Sequence, residues 1–127
     1  MKRTMILMAV LVMSIFATSA MAGSVEGTLV DGKCFLMMAS NKGNDHTTPG
    51  GEMKGCGTMC AKMGIPTGVL TADGKYYTLV VPASQVAKYV GQTVKVEGMI
   101  KNGNLIAESV SVKDGKKWTK VKIGTMM

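Results

Sequence analysis

The feature that most constrains the fold is an alternation of side chains, followed by a tight-turn signal, in the last third of the chain. Four apolar or small residues alternate with four longer ones: Val94, Val96, Gly98 and Ile100 against Lys95, Glu97, Met99 and Lys101. This period of two predicts a strand with one buried face. Asn102-Gly103 follows at once and is the strongest short-range signal for a β-hairpin. We therefore predict antiparallel strands over 93–101 and 104–113.

The rest of the chain repeats this strand-and-turn pattern. Alternating and turn residues predict three earlier strands, one short helix and a terminal strand: 25–35, 67–71, 75–81, a helix over 83–90, and 118–123. The segment 36–55 is rich in Asn and Gly, which predicts a loop. Glu108 falls on the parity of the apolar Ile106 and Val110, which indicates a β-bulge in the last long strand.

The order of these elements places one helix between the third and fourth of five strands. That order resembles the OB-fold, a small Greek-key barrel. The segment "GQTVKVEGMIKNGNLIAESVSV" is similar to the second half of small exported bacterial OB-fold proteins. The resemblance implies an all-β domain with short helices, a five-stranded OB-fold-like Greek-key barrel with a Cys-rich insertion between strands 1 and 2. In such barrels this connection is one of the loops that frame the ligand face.

The first residues predict export. Lys2 and Arg3 precede an apolar run over 6–17, and Ala20-Met21-Ala22 supplies the small residues of a cleavage site. The pattern is typical of a secretory signal peptide over residues 1–22, which leaves a single domain over 23–127. A membrane anchor is the weaker interpretation, because the run is shorter than the ~20 residues that span a bilayer. We expect a periplasmic or secreted protein with no transmembrane segment after cleavage.

Charge and composition exclude several classes of function. The chain has 15 basic residues against 8 acidic ones, yet Arg3 is its only arginine. Lysine gives only a point charge where arginine recognises phosphate and guanine bidentately, so nucleic acid is not a predicted partner. His46 is the only histidine and no serine elbow accompanies it, so we do not predict an enzyme. The sequence does not predict an oligomeric state.

The candidate chemistry lies in the segment 31–63, which contains all three cysteines and the only histidine: Cys34, His46, Cys56 and Cys60. Three cysteines cannot all pair within one chain, so at least one thiol is free, shared with another chain, or bound to a metal. The sequence "CGTMCAKM" over 56–63 predicts a short helix, on which Cys56 and Cys60 share a face.

One interpretation of this segment is a metal site. Tetrahedral zinc accepts a set of three cysteines and one histidine, and copper(I) accepts it too because thiolates are soft ligands. Five methionines surround the cysteines: Met37, Met38, Met53, Met59 and Met63. If they are not ligands, we expect them to fill the core. If His46 is not a ligand, we expect a solvated loop histidine beside Asp45. Asp31 and Asp45 are interpreted as turn and surface residues.

Two alternatives stay open. A structural disulfide from Cys34 to Cys56 or Cys60 is the default in an oxidising compartment and would contribute about 3 kcal/mol. Thiol redox chemistry would use Cys56 at the helix N-terminus, although the C-x-x-C motif is absent. A disulfide and a metal site both place Cys34 close to Cys56 or Cys60.

The stretch "DGKCF…DH…CGTMCAKMGIPTGVLTADGKYYTLV" also resembles small exported bacterial proteins with a similar cysteine arrangement, and this resemblance implies no particular activity. The function that we predict is an exported binding protein for a soft metal ion, copper or zinc, held by the Cys/His segment. The alternative is a disulfide-stapled OB-fold module that binds an envelope protein or a glycan.

Overall fold

The structure is a computed structural model that describes residues 21–124. The elements run in the order β1 (Met21–Asp31), α1 (Gly32–Met37), β2 (His46–Thr48), β3 (Gly51–Met53), α2 (Cys56–Lys62), β4 (Thr67–Leu70), β5 (Tyr76–Val80), α3 (Ala83–Val86), a 3₁₀ turn (Ala87–Tyr89), β6 (Thr93–Lys101), β7 (Asn104–Asp114) and β8 (Lys117–Val121). The predicted signal peptide lies outside the described residues, except for Met21 and Ala22, which begin β1. Within residues 21–124 no helix has the length and apolar character needed to cross a membrane.

Six strands form one sheet in the order β5-β4-β1-β6-β7-β8, and neighbouring strands in that order are antiparallel. β5 also pairs in parallel with β7, through Thr78↔Asn104 and Leu79↔Leu105 among others. The pairings among β1, β4, β5, β7 and β6 therefore run in a closed cycle, and β8 adds one strand outside it. The predicted mainly-β class with short helices is confirmed, and so is the terminal strand.

The core lies on one face of the sheet strands and under α3. Val94 and Val96 are fully buried, whereas Glu97 is exposed, as the alternation predicts. The core side chains are aliphatic and come from most of the long strands and from α3: Val25, Leu29, Val69, Leu79, Val81, Val86, Val94, Val96, Leu105, Val110 and Val112. Burial of these side chains is the main source of stability for the sheet.

The predicted bulge is present in β7. The β6–β7 register passes from Glu97↔Ser109 to Gly98↔Ala107, so Glu108 is the extra residue on β7. At Gly98 a Cβ atom would collide with the backbone carbonyl of Ile106, which explains the absence of a side chain at this position. The bulge lets Glu108 face solvent without shifting the buried residues on either side of it.

The insertion differs from the prediction in two places. β1 ends at Asp31 and not at Phe35, because the Asp31 side chain accepts hydrogen bonds from the backbone N–H groups of Lys33 and Cys34 and caps α1. Cys34 therefore lies on a helix and not at the end of a strand. The predicted loop over 36–55 contains the end of α1 and a separate two-stranded hairpin formed by β2 and β3.

Candidate metal centre

Asp31 fixes the position of the first cysteine. Its Oδ1 atom lies 2.9 Å from the amide nitrogen of Lys33 and 3.3 Å from that of Cys34. The amide of Gly32 donates to the carbonyl of Pro66 at 3.0 Å, which ties the start of α1 to the segment before β4. The short helix is thereby held by its cap and by the segment before β4. The Cys34 side chain lies half-buried beside Asp31.

Helix α2, which carries Cys56 and Cys60, is held by the loop before β2. The side chain of Asn44 accepts a hydrogen bond from the amide of Thr58 at 2.7 Å, and the Asn44 carbonyl accepts one from the amide of Gly57 at 2.9 Å. A Cβ atom at Gly57 would collide with Val90, so a glycine here allows α2 to approach the 3₁₀ turn closely. This packing fixes the direction in which both thiols of the helix project.

His46 is placed by the hairpin of β2 and β3. Its ring is 1% exposed, so the expectation of a solvated loop histidine is wrong. Nε2 lies 2.9 Å from the carbonyl oxygen of Gly43. Because a carbonyl only accepts, Nε2 carries the hydrogen and Nδ1 keeps its lone pair. Nδ1 is buried and has no hydrogen-bond partner. A neutral histidine fixed by a backbone carbonyl through one nitrogen is the usual state of a metal-ligating histidine.

The predicted convergence of the cysteines is confirmed. One ligand atom from each of Cys34, His46 and Cys56 lies within 4.8 Å of the other two. A second group with the same spacing consists of Asp31, Cys34 and Cys60. The Sγ atoms of Cys56 and Cys60 are 4.0 Å apart. Two sulfurs bound to one tetrahedral zinc at about 2.3 Å lie about 3.8 Å from each other, so this pair is already near chelating geometry. Cys34 belongs to both groups and connects them.

The predicted disulfide is not formed, since all three thiols are free. The 4.0 Å between the Sγ atoms of Cys56 and Cys60 is about twice the length of a disulfide bond. Two residues four apart on one helical turn point in the same direction, which suits shared ligation better than a bond between their sulfurs.

The environment of two thiols, those of Cys34 and Cys60, opposes their ionisation and raises the pKa of each. Burial, and after it the carboxylate of Asp31, raises the pKa of the Cys34 thiol to about 11. The same two causes raise the pKa of the Cys60 thiol to about 12. Reactive redox cysteines have lowered pKa values, so these two thiols differ from the pattern that thiol redox chemistry requires. A cation would reverse the balance, because it would compensate the thiolates and the carboxylate together.

The sequence interpretation missed Asp31 as a member of this cluster. The residue is 1% exposed, and its Oδ2 atom is buried without a hydrogen-bond partner. An aspartate directly before a short apolar run is a typical helix N-cap, and that signal was available in "DGKCFLM". The proximity of its carboxylate to Cys60 brings together residues far apart in the chain and has no sequence signal.

The expectation that the surrounding methionines fill the core is wrong. All five are exposed: Met37, Met38, Met53, Met59 and Met63. The core is filled by aliphatic strand residues instead. The segment therefore combines five exposed methionines with one buried and two half-buried cysteines.

Comparisons of the chain with protein-family models, with curated proteins and with solved structures returned no match. The resemblance to small exported OB-fold proteins therefore stays a prediction.

Proposed function

We propose that this chain is an exported carrier that binds one soft metal ion, copper(I) or zinc, through Cys34, His46, Cys56 and Cys60. The observation that carries the proposal is that the free thiol of Cys34 belongs to two groups of ligand atoms, each within 4.8 Å, one with His46 and Cys56 and the other with Asp31 and Cys60. Three thiolates and one imidazole satisfy tetrahedral zinc and also suit copper(I). Calcium and magnesium, which prefer oxygen ligands, fit this set poorly.

Burial of unsatisfied groups supports ligation over a purely structural role. Leaving a buried polar atom without a partner costs about 1–3 kcal/mol. Among the described residues such atoms lie on Thr67 in β4 and on Asp31 and His46, and the last two residues belong to the two groups that share Cys34. A bound cation would satisfy Nδ1 directly and would compensate the charge of Asp31. Asp31 acts in this proposal as a neighbouring anion or a fifth ligand.

For the scaffold we propose an OB-fold-like barrel. The closed cycle of pairings among β1, β4, β5, β7 and β6 supports it, and so does the position of α3 between β5 and β6. The Cys/His segment then occupies the connection between the first two barrel strands, β1 and β4. That connection is one of the ligand-framing loops of OB-folds. The likeness concerns topology and carries no function by itself.

For the localisation we propose the periplasm or the exterior, with cleavage after Ala22. Cleavage there would leave β1 from Gly23 onward, with the pairs from Gly23↔Gly98 to Thr28↔Thr93 intact. The intact mass of protein recovered from the periplasm tests this proposal. A mass that retains residues 1–22 would contradict it.

The test of the metal proposal is an anaerobic titration of the reduced protein with copper(I) and with zinc, each against a competing chelator. We expect one ion per chain with an affinity tighter than micromolar. Cys34→Ser should weaken binding most, because Cys34 belongs to both groups of ligands. Cys56→Ser and Cys60→Ser should each weaken it by about 10–100-fold or more, since a hydroxyl is a poor ligand for soft ions. Ser109→Ala, a change far from the site on β7, is the control.

Circular dichroism of each variant shows whether the fold survives the substitution. If the folded, reduced protein takes up neither ion with micromolar affinity, the metal proposal is wrong. The alternative function, binding of an envelope protein or glycan, would then replace it. An open groove of about 450 Å³ at the ends of α2 and β5, lined by Met63, Pro66, Leu79 and Pro82 among others, is the surface to examine first.

A further inference from the structure

The three cysteines share a local pattern that the ligand set does not use. Each is followed three residues later by a methionine: Cys34 and Met37, Cys56 and Met59, Cys60 and Met63. The first pair lies on α1, and the other two lie on α2 and its C-terminal residue. Residues three apart on a helix are neighbours on one face, about 5–6 Å apart at Cβ. The pattern therefore places one thioether next to every thiol.

The helix geometry also sets the direction of each methionine. A long helical side chain leans toward the N-terminus of its helix and covers the preceding turn. We therefore expect each methionine to lean back over its own cysteine. The last turn of α2 extends to Met63, whose amide donates to the carbonyls of Met59 and Cys60, both at 3.1 Å.

Burial separates the two kinds of sulfur. Cys56 is 7% exposed, and Cys34 and Cys60 are half-buried. By contrast, Met37, Met59 and Met63 are 76%, 56% and 74% exposed. We call these three methionines the thioether rim. A solvent-borne ion that approaches the cysteines along either helix meets the rim first.

The chemistry of thioethers favours copper(I) over zinc. A thioether is neutral and soft, so it binds copper(I) and silver(I) and has little affinity for zinc. It also needs no deprotonation, whereas the buried thiols must each release a proton before they ligate. The rim can therefore accept copper(I) at neutral pH without releasing a proton.

We propose that the thioether rim is an acquisition site for copper(I), which receives the ion and passes it inward to the three cysteines. The inference rests on the proposed function and makes copper(I) the ion carried. The transfer is ligand exchange without electron transfer. A copper–thioether bond breaks as a copper–thiolate bond forms, each ligating thiol releases one proton to solvent, and the copper stays in its +1 state.

The first test follows the rate of loading. The reduced mature chain is mixed with a copper(I)–bicinchoninate complex, and the loss of the complex's absorbance is recorded in a stopped-flow instrument. The test variant is the triple substitution Met37→Leu, Met59→Leu, Met63→Leu, and Met99→Leu, an exposed methionine of β6, is the matched control. We expect the triple variant to load about tenfold more slowly, with its equilibrium copper(I) and zinc affinities changed less than about threefold.

Leucine keeps the apolar surface and removes the sulfur. If the rim acted only as an apolar docking surface, leucine would preserve its action and the loading rate would equal that of the wild type. That result would overturn the proposal. A slowdown of the same size in Met99→Leu would also overturn it, because the effect would then not belong to the rim.

The second test observes the sulfurs directly. The chain is labelled with methyl-¹³C methionine and titrated with silver(I), a redox-inert stand-in for copper(I), in a variant with all three cysteines replaced by serine. We expect the methyl signals of the rim to shift and that of Met99 to stay in place. Unmoved rim signals would reject the rim as a soft-metal site. If the wild type binds no copper(I) while the rim signals move, the cysteine site has failed and the rim has not.

Discussion

The sheet interior and the Cys/His insertion bury different kinds of atoms. The sheet buries mainly aliphatic side chains such as Leu29 and Leu105, whose stabilisation comes from area removed from water, together with one polar residue, Thr67 of β4. The insertion buries Asp31, Asn41 and His46. Asn41 exchanges hydrogen bonds with the backbone of Thr47, at 3.0 and 3.3 Å, whereas Asp31 and His46 each keep one unpartnered atom.

This difference shows where stability and function reside. A buried polar atom without a partner lowers stability, so such atoms persist only where the surrounding structure over-determines them. The sheet supplies the rigid frame, and the insertion holds incompletely satisfied groups next to one another. A site that stays incomplete until a cation arrives is the arrangement expected of a carrier.

The largest expected effect is on the stability of the sheet. Leu105→Ala should lower the free energy of unfolding by about 2–5 kcal/mol, because it removes buried methyl groups and leaves a cavity. Ile106→Ala, at the next residue of β7 on the exposed side, is the control and should cost less than about 1 kcal/mol. Urea denaturation of the metal-free protein measures both. Equal losses of unfolding free energy in the two variants would contradict the burial of Leu105 and the exposure of Ile106.

The second prediction concerns the insertion and pH. Thiols with pKa values of about 11 and 12 are protonated at neutral pH, so ligation by Cys34 and Cys60 must release protons. Each released proton makes the affinity rise about tenfold per pH unit below those values. Two released protons over the two pH units between 6.5 and 8.5 should therefore increase the copper(I) affinity by about 10,000-fold.

The measurement is a chelator competition at each pH, corrected for protonation of the chelator. Cys34→Ser is the control, since it releases one proton fewer and should give a shallower slope. An affinity independent of pH would exclude the thiols as the ligands.

The third prediction separates the two roles of Asp31. Asp31→Ala removes the cap of α1 and should cost about 0.5–2 kcal/mol of stability, whereas Asp31→Asn keeps a capping oxygen and should cost less. Both substitutions remove the negative charge and should lower the pKa of the Cys34 and Cys60 thiols, although burial will keep both above the usual value. The rate of alkylation by iodoacetamide as a function of pH measures the thiol pKa values.

Asp114→Asn, at the exposed end of β7, is the matched control and should change neither quantity. If Asp31→Asn left both thiol titrations unchanged, the carboxylate would not be part of the cluster. The same result would remove Asp31 from the proposed metal centre.

The smallest expected effect lies on the outer face of the sheet. Lys95 points away from the core, and its Nζ atom lies 6.0 Å from the centre of the Trp118 ring. Lys95→Ala should change the free energy of unfolding by less than about 1 kcal/mol, since exposed cation–π contacts contribute little. Val96→Ala, one residue further on the buried face, should cost about 1–3 kcal/mol. Similar losses in the two variants would contradict the alternation of β6.

Much of the sheet could be predicted from the sequence because its signals are local. The alternation around Val96, the turn at Asn102-Gly103 and the parity of Glu108 gave β6, β7 and the bulge between them. The insertion was harder to predict. The apolar residues after Lys33 extend the apparent strand, and only the side-chain hydrogen bonds of Asp31 turn them into a helix.

For the candidate site, residue types and spacing predicted the four proposed ligands as one of three interpretations, beside a disulfide and thiol redox chemistry. The sequence alone determined that these residues lie within one segment, 31–63, and that Cys56 and Cys60 share a helical face. Both statements follow from short-range periodicity, which each stretch of chain carries by itself.

Only the tertiary structure decided the burial of His46, the inclusion of Asp31 and the exposure of the methionines. Each of these depends on how the β2–β3 hairpin, α1 and α2 pack against one another, and those contacts join residues far apart in the chain. The sequence does not distinguish a methionine that fills a core from one that faces solvent. Valine and leucine fill the interior of the sheet, whereas the five methionines of the segment are exposed at the surface.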